Sequence, residues 1–197
     1  DVYKRQPFLP KPTMSRDENG KLFWDMNNSD SLGKVQTFWG AFGVMVKAYT
    51  YIINMGADGL RRIAEDAVLN SNYMLASLRE YFELPYSETP MHEFVLSGEP
   101  LKKLGVKTLD VAKRLLDFGF HAPTIYFPLI VHEALMIEPT ETETKEEIDS
   151  FVDTMIRIRR ESEKDADSLH AAPTKTPVRR LDEVTANKNP ILTWIEQ

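Results

Sequence analysis

Residues 109–143, LDVAKRLLDFGFHAPTIYFPLIVHEALMIEPTETE, carry the densest structural signal in the chain. Leu109, Ala112, Leu115, Leu116 and Phe118 recur at helical spacing, which predicts a helix with one core-facing stripe. Thr108 stands where an N-cap belongs and Asp110 falls in the first turn. Asp110 and Arg114, four apart, predict an ion pair along that helix. Gly119 is the stop, because glycine adopts the left-handed conformation that ends a helix without steric cost. The period then shortens. Thr124–Pro128 and Glu133–Glu138 predict two strands, the second strongly apolar. Pro139 ends it, since proline has no N–H for a ladder.

Working outward, Thr144-Lys-Glu-Glu147 spells a capping box, with a hydroxyl at the cap and a carboxylate three residues on. The helix it opens should bury Ile148, Phe151, Val152, Met155 and Ile158 on one face. Arg157, Arg159 and Arg160 suit the negative end of its dipole. Residues after Asp165 predict a loosely ordered tail docked by Ile191, Leu192 and Trp194. On the upstream side, His92–Ser97 predicts a strand. Leu60, Ile63, Ala67, Val68, Met74, Leu75, Leu78 and Phe82 form the stripe of a long helix running to about Phe82, ended by Pro85. Gly33–Met55 predicts a second long helix, buried, with Gly40, Ala41, Gly43 and Ala48 permitting close backbone approach. Gly56-Ala-Asp-Gly59 separates the two. Pro7–Ser31, rich in Pro, Asn, Asp, Ser and Gly, predicts an extended loop.

Composition sets bounds. The chain has 197 residues, 42% hydrophobic and 27% charged, the balance of an ordinary globular domain or a little more than one. A net charge of -6 argues against a nucleic-acid surface, which needs a basic face. Cysteine is absent, which excludes disulfides, thiolate catalysis and Cys-ligated zinc in this segment. Within residues 35–55 Lys47 is the single charge, yet Gln36, Thr37, Thr50 and Asn54 interrupt the run. A spanning helix wants ~20 predominantly apolar residues, so a buried helix is the reading and no membrane is expected.

The order helix, glycine stop, aromatic strand, apolar strand and E-P-T-E resembles the C-terminal domain of fold-type I pyridoxal-phosphate (PLP) enzymes. In detail it is similar to the second-subunit family of glycine-decarboxylating P-proteins, the glycine dehydrogenases (decarboxylating) of the glycine cleavage system. The AVLNSNY run at 67–73, HEFVLS at 92–97, the loop at His121 and EPTE at 138–141 carry the likeness, which extends from Pro7 to near the end. Residues 1–6 (DVYKRQ) do not match and are expected to be artefactual.

The resemblance implies an α/β fold, α+β within this segment, forming the C-terminal part of a PLP-dependent transferase. Residues 1–33 would be an extended N-terminal segment and 34–90 the connecting helices that end a large domain. Residues 91–164 would be the small α/β domain and 165–197 a C-terminal tail. It further implies PLP as cofactor, glycine as substrate, and a lipoyl group on an H-protein as acceptor of the aminomethyl group. The other P-protein subunit would be a partner in a cytoplasmic hetero-oligomer. The family's PLP lysine sits in His-Lys-Thr followed by a glycine run, and neither occurs here. No catalytic residue is therefore assigned, and the segment alone is expected to be inactive. Two alternatives remain: another fold-type I decarboxylase or lyase, and a ferredoxin-like interaction module, whose β-α-β-β pattern is the same.

Four residues are candidates for a substrate or cofactor cleft. His121 opens a fixed loop with an imidazole that can donate or accept a hydrogen bond; it could equally cap the preceding helix. Thr124 closes that loop. Glu138 stands at a strand end, where a carboxylate could position a basic group. The same E-P-T-E could instead prepare the next helix, with Thr140 and Glu141 near its positive end. His92 could face the cleft or be a hydrogen-bonded structural residue. His92-Glu93 and His132-Glu133 do not form a zinc motif, because Leu96 and Met136 occupy the place of the second histidine. Asn70 and Asn72 are read as satisfying neighbouring backbone groups. Lys47 lies in an unrelated context and is read as a snorkelling side chain.

Overall fold

The computed structural model describes residues 2–35 and 40–193. The chain divides at Gly56 into two compact units, 1–56 and 57–197.

The first unit opens with a short helix α1 (Val2–Arg5), a 3-10 turn (Gln6–Phe8) and an antiparallel hairpin of β1 (Thr13–Arg16) and β2 (Leu22–Asp25). The hairpin corrects the expectation of an extended loop over residues 7–31. Its turn is built by Asp17, whose Oδ1 accepts the N–H groups of Asn19 and Lys21, and by Gly20 at φ 77°. Four-residue strands are too short to show a period, so only the Asn-Gly step announces them. Helix α2 (Phe42–Leu78) begins well after Gly33. Gly33 and Gly40 have φ 93° and 97°, which no helix accepts. Residues 36–39 of the expected helix lie outside the described residues. Gly56, at φ 63° and ψ -176°, interrupts α2, whereas Gly59 stays helical. The expected burial of the first helix is not found. Phe42, Val44, Ile52 and Ile53 are exposed, and no described residue of this unit covers them.

The second unit holds the remainder of α2, then β3 (Phe94–Ser97), α3 (Glu99–Lys102), α4 (Thr108–Asp117), β4 (Thr124–Ile125) and β5 (Ala134–Ile137). Helices α5 (Lys145–Lys164), α6 (Ala166–Ala171) and α7 (Glu183–Lys188) follow. The sheet order is β3-β5-β4 and both pairings are antiparallel. β5 therefore lies between two strands joined through α4, a split β-α-β unit. Leu78 of α2, Leu96 of β3, Leu115 of α4, Leu135 of β5, and Met155 and Ile158 of α5 form one fully buried cluster.

Local signals are realised as written at two places. Thr144 and Glu147 exchange their N–H groups and side chains, at 3.0 and 3.2 Å. Gly119, at φ 83°, donates to Leu116 O while Phe120 donates to Leu115 O, a Schellman closure of α4.

Three expectations need correction. The cap of α4 is Lys107, whose N–H is taken by Asp110 Oδ2 at 2.8 Å, while Thr108 is the first helical residue. Asp110 does not pair with Arg114. It takes Arg180 at 2.7 Å and lies 3.4 Å from His170, and Arg114 binds Asp117 and Glu161. Nor are residues 165–180 a loose tail. Leu169 is fully buried, and the buried Asp117 carboxylate accepts the N–H groups of Thr174 and Lys175 at 2.6 and 2.8 Å. Ile191 and Leu192, expected to dock, are 78% and 87% exposed, and Trp194 lies outside the described residues. No described helix is long and apolar enough to cross a membrane.

Candidate functional site

The Schellman turn after α4 throws the chain across the ends of the sheet and sets His121-Ala122-Pro123 against the last residue before the β5 exit. Together with the start of α5 this encloses a cavity of about 240 Å3. Its base is apolar: Met74 of α2, Ile137 of β5, Ile148 of α5, and Phe120 against Phe151, whose rings meet edge to face at 5.3 Å. Its wall carries His121, Glu138, Glu143 and Glu147. Asn70 Nδ2 donates to Thr140 O at 2.9 Å and ties the 138–143 turn to α2. Asn72 Nδ2 reaches Val68 O and Pro90 O, so both asparagines do satisfy backbone groups. Glu147 is committed to its capping box, and the N–H of Thr144 holds its carboxyl below the usual range.

His121 and Glu138 thus share one cavity. His121 does not close the helix, a task done by the N–H groups of Gly119 and Phe120. β3 begins at Phe94 rather than at His92, which stands two residues before it; His92 Nε2 lies 4.0 Å from Glu138 Oε1, both side chains being more than half exposed. An ion pair so exposed stabilises little. Thr124 pairs with Met136 in the sheet, is exposed, and is not among the cavity's lining residues. Thr140 and Glu141 are not the helix cap, which is Thr144. Glu143, Glu147, Phe151 and Met74 could not be foreseen as wall residues, because their convergence depends on how α5 meets α2. Three carboxylates around an apolar base suit a neutral or cationic group and repel an anionic one.

A second built feature lies at the far end of β5. The loop 126–133 leaves and re-enters the sheet through residues with positive φ, Tyr126 at 59° and Glu133 at 50°. Non-glycine residues pay for that conformation only where surroundings impose it. Here Glu133 receives Thr108 N–H at 2.9 Å and Lys102 Nζ at 3.2 Å, and its carbonyl accepts Thr108 Oγ1 and Gly98 N–H, each at 2.8 Å. Burial alone would raise the Glu133 pKa, but the bonds from Thr108 and Lys102 outweigh it and hold the carboxyl below its ordinary value. Gly98 is required for this approach: a Cβ there would stand 2.6 Å from Thr108 Oγ1.

Comparison with known proteins places the chain in a family. Residues 63–179 match the family model for the glycine dehydrogenase C-terminal domain. A probable glycine dehydrogenase (decarboxylating) subunit 2 of Caldanaerobacter subterraneus subsp. tengcongensis is 56% identical over 187 residues, covering 95% of this chain and 38% of that protein. Proteins of the same name from Listeria monocytogenes and Bacillus velezensis are 55% and 53% identical over 188 residues with the same coverage. The chain thus spans 38% of the length of these relatives. A crystal structure of glycine decarboxylase (P-protein) of the glycine cleavage system, in inhibitor-bound form, superposes with a TM-score of 0.56 at 18% identity. It covers 74% of this chain and 34% of that one, and bears out the α+β fold expected for the C-terminal part of such an enzyme. As the family model matches more than half of the chain, the chain belongs to the glycine dehydrogenase C-terminal domain family.

Proposed function

We propose that this chain serves as the small-domain portion of a PLP-dependent glycine decarboxylase of the glycine cleavage system, supplying one wall of the cleft rather than the cofactor's anchor. The observation that carries the proposal is the family membership, joined to a cavity that unites His121 and Glu138. The whole enzyme would take glycine, act with the other P-protein subunit, pass the aminomethyl group to a lipoyl H-protein, and work in the cytoplasm.

The cavity itself does not fit PLP. Three carboxylates oppose a phosphate, and no lysine lines it. The described residues that do line it suit an apolar or amine-bearing group, so the cofactor's anchor belongs elsewhere in the enzyme. Within this reading Glu138 accepts a hydrogen bond from a bound cationic group, His121 donates or accepts beside it, and Phe120 and Phe151 exclude water from the base.

The test grafts this chain in place of the corresponding C-terminal part of the Caldanaerobacter relative and follows glycine decarboxylation. Activity should survive the graft. His121→Ala and Glu138→Ala should each lower turnover about a hundredfold, equivalent to ~2–4 kcal/mol of transition-state contact. Thr124→Ala, outside the cavity, should leave it near normal. Near-normal rates for the two cavity variants would sink the cleft reading. The chain by itself should be inactive, and borohydride added with PLP should label no single lysine. Stoichiometric labelling of one, Lys47 for instance, would overturn the expectation of an anchor elsewhere.

A further inference from the structure

The 240 Å3 cavity is layered. Its base is closed to water, with Met74, Ile137 and Ile148 only 4%, 4% and 2% exposed. The half-buried rings of Phe120 and Phe151 complete it. Glu138, Glu143 and Glu147 line the same cavity at exposed positions, and the Glu138 side chain is 57% accessible. Glu147 is engaged in the cap of α5, which leaves Glu138 and Glu143 as the acids of the rim. Between these two, Thr140 O accepts Asn70 Nδ2 at 2.9 Å, so the turn that carries both is fixed to α2.

That layering has a direction. A matching ligand puts carbon at the bottom and positive charge at the mouth. We propose that the cavity binds a free aliphatic primary amine, tail first, with its ammonium held at the rim by Glu138 and Glu143. The base removes the stem from water. The ammonium has three donors and no acceptor, which suits a rim of carboxylates. Only the effect of such an amine on turnover rests on the cleft reading above.

Other occupants meet physical obstacles. Glycine has no stem to cover the base, and its own carboxylate would face Glu138 and Glu143. An aliphatic carboxylate has the stem but the wrong charge. A lysine side chain reaching in from another protein would arrive head first. Its ammonium would then be stripped of water against Met74, Ile137 and Ile148, and burying a charge among apolar side chains is costly. A free amine entering by its tail avoids all three.

Ligand-detected NMR titration of the full chain tests this, with n-pentylamine, n-pentanol and pentanoate as probes of similar stem. Pentylamine should bind about tenfold tighter than either of the others, the effect of two exposed ion pairs together. From methylamine to pentylamine, each added methylene should tighten binding about threefold, a little less than a fully buried CH2 gives. Glu138→Gln and Glu143→Gln, at exposed positions, should each weaken pentylamine about two- to fivefold. Asp153→Asn, an exposed acid of α5 outside the cavity, should leave it unchanged. Glycine and Nα-acetyl-lysine amide should not displace pentylamine. The proposal is overturned by absence of saturable pentylamine binding, by equal affinity for pentanol, or by unchanged affinity in both Gln variants. Displacement by glycine would overturn it too, and displacement by the lysine derivative would make a protein side chain the occupant instead. In the grafted enzyme pentylamine should slow glycine decarboxylation. Saturable binding with an unchanged rate would break the cleft reading and leave the amine site standing.

Discussion

The two units place their apolar residues in opposite ways. In the second, Leu78, Leu96, Leu115, Leu135, Met155 and Ile158 have no accessible surface. In the first, Trp24, Phe42, Val44, Ile52 and Ile53 are exposed, and no residue whose side chain is described is buried. Both stretches are apolar enough to read as structured. The difference is whether elements face one another. A split β-α-β sheet with α4 and α5 meets itself, whereas one hairpin and one helix do not. Apolar surface contributes ~25 cal/mol per Å2 only when something covers it. Extended exposed patches of this kind mark interaction surfaces.

The largest effect should come from separating the units. Residues 57–197 expressed alone should melt cooperatively and run as a monodisperse species, while the full chain should self-associate. Circular dichroism and size-exclusion chromatography read both. A monodisperse full chain that excludes hydrophobic dyes would erase the contrast. Next in size, Leu115→Ala in the second unit should cost about 2–5 kcal/mol, as a cavity opens in a packed core. Phe42→Ala should stay within about 0.5 kcal/mol, the range of surface changes. Comparable losses would mean that the first helix is covered in solution.

Asp117→Asn should cost about 1.5–3 kcal/mol, since charged hydrogen bonds to Thr174 and Lys175 weaken. Burial by itself would raise the Asp117 pKa, but the N–H groups of Lys175 and Thr174, with Arg114, hold it below the ordinary value. A carboxyl depressed in the folded state contributes fully above its unfolded pKa near ~3.9 and loses that contribution as pH falls through the folded value. The gap between wild type and Asp117→Asn should therefore be constant at neutral pH and narrow below about pH 4 in thermal melts. A gap that persists at lower pH would assign the effect to packing. Thr144→Ala should cost about 1 kcal/mol through loss of the cap. Smallest is Ser71→Ala. Ser71 is fully buried and its Oγ has no hydrogen-bond partner among the described residues, so removal should be neutral or stabilising by up to about 1 kcal/mol. Clear destabilisation would reveal a partner for that hydroxyl.

What could be read beforehand was local. Gly119, the Thr144–Glu147 box, the stripe on α5 and the strand endings at Pro139 depend on residues within a turn of each other. Asp110 shows the limit. Its i,i+4 neighbour Arg114 is the obvious partner, yet Arg180, seventy residues on, takes it. Buried chelation of the helix entrance decided the matter, and spacing carries no trace of it. The candidate site divides the same way. His121 and Glu138 were legible because a loop and a strand end each advertise themselves. Glu143, Glu147 and Met74 were not, because they become wall residues only when α5 and α2 converge. The hairpin failed for a third reason, strands shorter than two periods.

The loop between Tyr126 and Glu133 has a consequence for how this surface changes over evolutionary time. Its base is stapled from below by Glu133, Thr108 and Lys102, while Phe127, Leu129 and Ile130 at the tip are 53%, 85% and 79% exposed. Anchorage and display are thereby encoded by different residues. The tip can be rewritten, lengthened or exchanged without shifting β5, and the staple can be lost only with the strand it pins.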